Sequence, residues 1–152
     1  MDLLDLLQRD GERIVAEASE ALSRSQLAHY AEAGHAVGQE RLSRLFQLTV
    51  ASIADHNLVP VMDYMAEVAD DRFHAGYNIR EVQIAINVLE EAIWNDIVAN
   101  TPPDELARSL GLVSTVLGAA KDSLARAYVS LASKTKAPSL DLSALFEGSA
   151  GG

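Results

Sequence analysis

The chain has 152 residues, enough for one domain with a core of its own, and it carries a formal charge of −10 with no cysteine. The missing thiols exclude disulfides, thiolate catalysis and cysteine-bound zinc or iron–sulfur centres. The acidic balance, with no basic patch to offset it, speaks against nucleic acid and anionic membrane surfaces as partners.

Apolar residues make up 49% of the chain and aromatic ones only 5%, an aliphatic balance of the kind helical bundles use. The N-terminus, MDLLDLLQRDGER, has no basic region followed by an unbroken apolar core and is not read as a secretory signal. No stretch approaches the ~18 consecutive apolar residues of a membrane span. The expected compartment is the cytoplasm.

Residues 2–23 read as a first helix, with Leu3, Leu4, Leu7, Ile14, Val15, Ala18 and Leu22 on a loose apolar face. Gly11 interrupts it at a cost of roughly 1 kcal/mol relative to Ala, so a break near Asp10-Gly11 is expected as an option. The Ser25–Gly38 stretch reads as a short helix from Gln26 to Ala33, ended by Gly34 and followed by a loop. A firmer helix runs from Gln39 to about Asp55, with Leu42, Leu45, Phe46, Thr49, Val50 and Ile53 inward.

Pro60 sits where a new helix starts comfortably, and Val61, Met62, Met65, Val68, Ala69 and Phe73 mark its buried side up to a turn at Gly76-Tyr77. The next helix is the most clearly signalled. Asn78 and Glu81 form a capping box, and Val82, Ala85, Ile86, Leu89, Ile93 and Ile97 follow on one stripe to about Asn100. Thr101-Pro102-Pro103-Asp104 ends it and starts another.

From Asp104 to Lys136 the apolar positions, including Leu106, Leu110, Val113, Leu117, Leu124 and Leu131, alternate spacings of four and three, the period of a coiled-coil seam. At 1.5 Å per residue this helix extends ~50 Å. It is expected either to project or pair with its copy in a homodimer through Leu110, Val113, Leu117 and Leu124, or to pack wholly inside its own bundle. Pro138 stops it. The sequence therefore reads as a bundle over 1–137 and a flexible tail over 138–152, with Leu140, Leu142, Leu145 and Phe146 as a strap on the bundle or a docking peptide for another protein. The fold expected is all-α, a globin-like or antiparallel bundle of about five helices with a long C-terminal one.

Chemistry is thinly signalled. His56 and His74 are the haem candidates by location, but both lie beside acids or turns. Glu32-x-x-His35 and the weaker Asp71-x-x-His74, with Glu90 or Glu91, are what a di-metal carboxylate site would use, although Gly34 interrupts the first. No Gly-x-Ser-x-Gly elbow, phosphate loop or dinucleotide fingerprint occurs. The reading is of a protein that is not an enzyme and needs no cofactor, with a haem or di-metal bundle as the alternative. Tyr77, Trp94, Phe73 and Leu89 are the candidates for a ligand pocket or interface, against plain core packing.

Arg72 at a helix end, then Gly76, Tyr77 and the Glu81-Val82 pair opening the next helix, together with the helix order from Leu3 to Asn100, resemble the N-terminal sensor domain of the RsbT co-antagonist proteins of bacterial stressosomes. The resemblance implies an all-helical, non-haem globin-like domain that dimerises and leads through a long helix to a C-terminal phosphoacceptor domain. There is no room for that second domain after Pro138, so the resemblance implies a stand-alone sensor module or a fragment ending at the linker. It carries over no catalytic or phosphoacceptor residue. The function expected is regulation by dimerisation and protein–protein contact in stress signalling.

Overall fold

Asp2 opens the first helix, its carboxylate accepting the Asp5 amide at 2.8 Å as an N-cap. The computed structural model describes residues 2–136, and six helices account for its regular structure: α1 (Leu3–Arg24), α2 (Ala28–Ala33), α3 (His35–Asp55), α4 (Val59–His74), α5 (Ile79–Asn100) and α6 (Pro103–Lys136). The fold is an all-α bundle, with six helices where the sequence suggests about five. α1 lies against α5 and α3, and α6 against α4 and α5. Leu7, Ile14, Met65, Ile86, Leu89, Ile93, Leu117 and Leu124 are among the fully buried side chains between them. No helix among the described residues is long and apolar enough to cross a membrane.

Two expectations about glycines change. The break at Gly11 does not occur, and α1 runs straight through it. A Cβ at Gly11 would lie 2.8 Å from Phe46 Cε1, so this glycine lets α3 come close rather than ending a helix. The loop expected after Gly34 is also absent. Gly34 alone turns the chain with φ +93°, and α3 begins at His35.

The long last helix packs inside its own bundle. Val113, Leu117 and Leu124 are fully buried and Leu110 is half-buried, in one stripe with Val116, Ala120 and Tyr128. These side chains face α4 and α5 of their own chain, so the expected dimer seam is a core seam instead. The expected tail with Leu140, Leu142, Leu145 and Phe146 lies outside the described residues.

Candidate ligand-binding cleft

The Gly76–Tyr77 turn is built by helix-ending chemistry. Tyr77 N–H donates to the Arg72 carbonyl at 2.9 Å and Gly76 N–H to that of Phe73 at 3.2 Å. This is the paired bonding of a Schellman ending, with Gly76 at φ +91° in the position that needs glycine. One residue later Asn78 and Glu81 cap α5 reciprocally, as their spacing predicts. The two motifs back to back fold Tyr77 onto the turn that carries Arg72.

Tyr77 becomes a hub. Its ring stacks on His29 at 4.7 Å, meets the Tyr30 ring edge-on at 5.1 Å and lies 5.8 Å from the Arg72 guanidinium. Its hydroxyl donates to the His29 carbonyl at 3.2 Å and accepts from Arg41 Nη1 at 3.1 Å. Its carbonyl accepts the Tyr128 hydroxyl of α6 at 3.0 Å. His29 Nδ1 sits 2.8 and 2.9 Å from the two Glu81 oxygens, tying α2 to the start of α5.

Beside this hub, residues of α1 to α5 line a cleft of two neighbouring chambers, both open to solvent, the inner one lying towards α4 and α5. The inner one, of about 40 Å³, is walled by Arg41, Tyr64, Met65, Val68, Arg72 and Ile86 among others. The outer one, of about 240 Å³, lies between Ser19, Gln26, Leu27, Ala31 and His35. Leu22, Tyr30 and Gly38 form part of the wall of both.

Arg72 is the unusual member. It is only 7% exposed, and its Nε–H has no hydrogen-bond partner. Its one ion pair, from Nη1, is to the exposed carboxylate of Asp71. A buried donor left unmade costs about 1–3 kcal/mol, more when charged. Burial pushes the Tyr30 phenol up to about 12 and raises Tyr64 as well, against the pull of the nearby guanidiniums, so both remain neutral hydroxyls.

No family model, no curated protein and no solved structure matches the chain.

Of the four pocket residues named from sequence, Tyr77 borders the cleft through Arg41, Arg72 and Tyr30, and Phe73 packs edge-on against Tyr128 at 5.6 Å. Leu89 is fully buried core, and Trp94 is 39% exposed on α5. Trp94 lies roughly 26 Å along the helix from Tyr77 at 1.5 Å per residue, so the two do not share a pocket. Arg41, Tyr30, Tyr64 and Gly38 carried no sequence signal of a site. Arg72 did carry one, since the inner stripe of α4, Val61, Met65 and Ala69, runs on to position 72.

The residues named for the metal alternative do not come together. His56 is an exposed left-handed cap, and exposed His74 is bonded to the Asp70 carbonyl at 2.7 Å. Gly34 separates Glu32 on α2 from His35 on α3. Among the described residues no three His, Asp or Glu side chains converge as metal ligands. Ser23 Oγ does come within 3.3 Å of His35 Nδ1 at the outer chamber, a pair the sequence gives no reason to join.

A second polar cluster links α1 to α5 elsewhere. Arg13 reaches the Asp96 carboxylate, whose other oxygen is buried without a partner, while Asp10 pairs with Arg9 at 2.7 Å. Burial and the neighbouring Asp10 carboxyl raise Asp96 above its ordinary value, and the Arg9 guanidinium holds Asp10 well below its own.

Proposed function

We propose that this chain is a non-enzymatic regulatory module that takes up a small molecule in the cleft and relays its occupancy to a second copy of the chain. The observation that carries the reading is Arg72, a guanidinium only 7% exposed, set with Arg41 on the wall of one chamber. The other walls of that chamber offer phenols, a second guanidinium and aliphatic side chains, which hold a ligand rather than transform it, and no Asp or Glu lines either chamber to activate the Ser23–His35 pair.

The relay would run through Tyr77. A ligand drawing on Arg41 competes with the bond that Arg41 gives the Tyr77 hydroxyl, and the Tyr77 carbonyl anchors Tyr128 of α6. The ligand shifts the bundle only as far as it binds one seating of Tyr77 better than the other. With the α6 seam used internally, Trp94 and Val98, exposed about one turn apart on α5, are the apolar side chains assigned to the contact between copies. The resemblance to stressosome co-antagonist sensor domains leans the same way, towards a dimeric cytoplasmic signalling module.

The test is an amide NMR titration of the labelled chain with the low-molecular-weight fraction of a cell extract. Shifts concentrated at Tyr30, Gly38 and Arg72 and carried on to Tyr128 are the expected result. Spectra in which no cleft residue moves would overturn the reading.

A further inference from the structure

The cleft runs against the electrostatics of the whole molecule. The chain has a net charge of −10, yet the residues lining the two chambers include Arg41, Arg72 and His35 and no Asp or Glu. Arg72 pairs with Asp71 through Nη1 and lines the inner chamber, and Arg41 gives one N–H to Tyr77 and lines the same wall. A guanidinium edge presents its N–H groups in the plane and spacing of a carboxylate.

Charge and size narrow the ligand further. Asp71, whose side chain is 65% exposed, already balances part of the Arg72 charge through Nη1. That leaves the pair of arginines with about one positive charge to neutralise, a match for a monoanion rather than a phosphate dianion. The inner chamber, at about 40 Å³, has space for a small polar group such as a carboxylate and not for a whole ligand. The outer chamber, at about 240 Å³, falls below the usual range for drug-sized ligands and suits a compact body.

We infer that the cleft binds a small organic monocarboxylate, with its carboxylate on Arg72 and Arg41 and its body in the outer chamber against Leu22, Leu27 and Ala31. This rests on the reading of the cleft as a ligand site and adds the class of ligand.

The experiment titrates the full labelled chain with hexanoate and with benzoate, each beside its neutral amide, and follows the Arg72 Nε–H resonance and the cleft amides by NMR. Both carboxylates should move the Arg72 Nε–H signal and bind at least roughly tenfold more tightly than their amides, as a charge-assisted hydrogen bond requires. Arg72→Met and Arg41→Met should each remove that advantage while leaving the weak amide binding in place.

Amides that bind as well as carboxylates, or carboxylate affinity unmoved by both substitutions, would overturn the carboxylate assignment and leave the cleft a site for another ligand. Probes that move no cleft signal would also overturn it, and the extract titration then decides separately whether the cleft binds anything. Should Arg72→Met fail to fold, the half-buried Arg41 variant and the Arg72 signal of the unaltered chain still give the answer.

Discussion

Gly38→Ala should make the protein more stable and close its cleft in one step. Gly38 is buried at the fourth position of α3 and walls both chambers, and a Cβ added there would meet only Leu22 Cδ2, at 3.7 Å, an ordinary contact. Replacing glycine by alanine inside a helix is favourable by about 1 kcal/mol. Burying the new methyl adds up to about 0.8 kcal/mol. The sum, about 1–2 kcal/mol, corresponds to a rise in Tm of roughly 3–6 °C for a domain of this size. The same methyl narrows a wall shared by both chambers, so carboxylate affinity should fall at least roughly tenfold.

Calorimetry and the hexanoate titration on the same sample give both numbers. A loss of stability would show that the Leu22 wall is tighter than the structure has it. A gain in stability with affinity unchanged would show that the ligand does not sit against Gly38, and would refute the placement of the site.

The same substitution at Gly11 should have the opposite sign: the 2.8 Å approach to the Phe46 ring makes Gly11→Ala an overpacked core, at a cost of about 1–3 kcal/mol that offsets or exceeds the helix gain. A urea melt showing clear stabilisation would contradict that. Tyr30 and Tyr128 are both pushed up to about 12 by burial, so the folded form excludes their phenolates and its stability is lost as pH rises from about 10 to 12. Tyrosine absorbance should show both un-ionised at pH 10.5 until the chain unfolds; full ionisation before unfolding would refute their burial. Asp96 has a raised native pKa, so its charged form disfavours the fold and stability falls as pH rises through that value. Asp96→Asn should therefore gain on the unaltered chain at pH 7, and the gain should shrink towards pH 4; a larger gain at pH 4 in denaturant melts would reverse the sign and the reasoning.

Much of the fold is legible because helix boundaries are local chemistry. The Asn78–Glu81 box, Pro60 and the Thr101–Pro103 stop act within a few residues, and the structure has helix ends at all three. What the sequence misjudges depends on contacts between distant residues. The cost of Gly11 to α1 is visible in the chain, but the Phe46 ring that occupies the space is 35 positions away on α3 (46 − 11). The α6 stripe announces that a helix face is buried without saying whose helix buries it, and here α4 and α5 of the same chain do. Tyr77 and Trp94 look alike as aromatic residues of one helix region, yet they lie near its opposite ends. The inner position of Arg72 follows from the period of α4, but its unpartnered Nε depends on which side chains of other elements pack around it.

The Arg72–Gly76–Tyr77 pattern that resembles a sensor family has a plainer account for two of its three members. A Schellman ending calls for glycine at position 76 and favours an apolar contact between the residue after it and the residue three before the cap. Gly76 and Tyr77 meet that description, and Arg72 stands where the apolar partner belongs. Its packing over the Tyr77 ring is worth about 0.5–2 kcal/mol, which its unmade buried hydrogen bond roughly cancels. Its ion-pair partner, Asp71, is exposed and is not stranded in the core by losing it. Arg72→Met should therefore fold with a stability within about 1 kcal/mol of the unaltered chain. A loss of 3 kcal/mol or more in a urea melt would make Arg72 a structural residue. Near-equal stability together with lost carboxylate affinity would mean that the fold has no use for a charge at position 72, and that the ligand does.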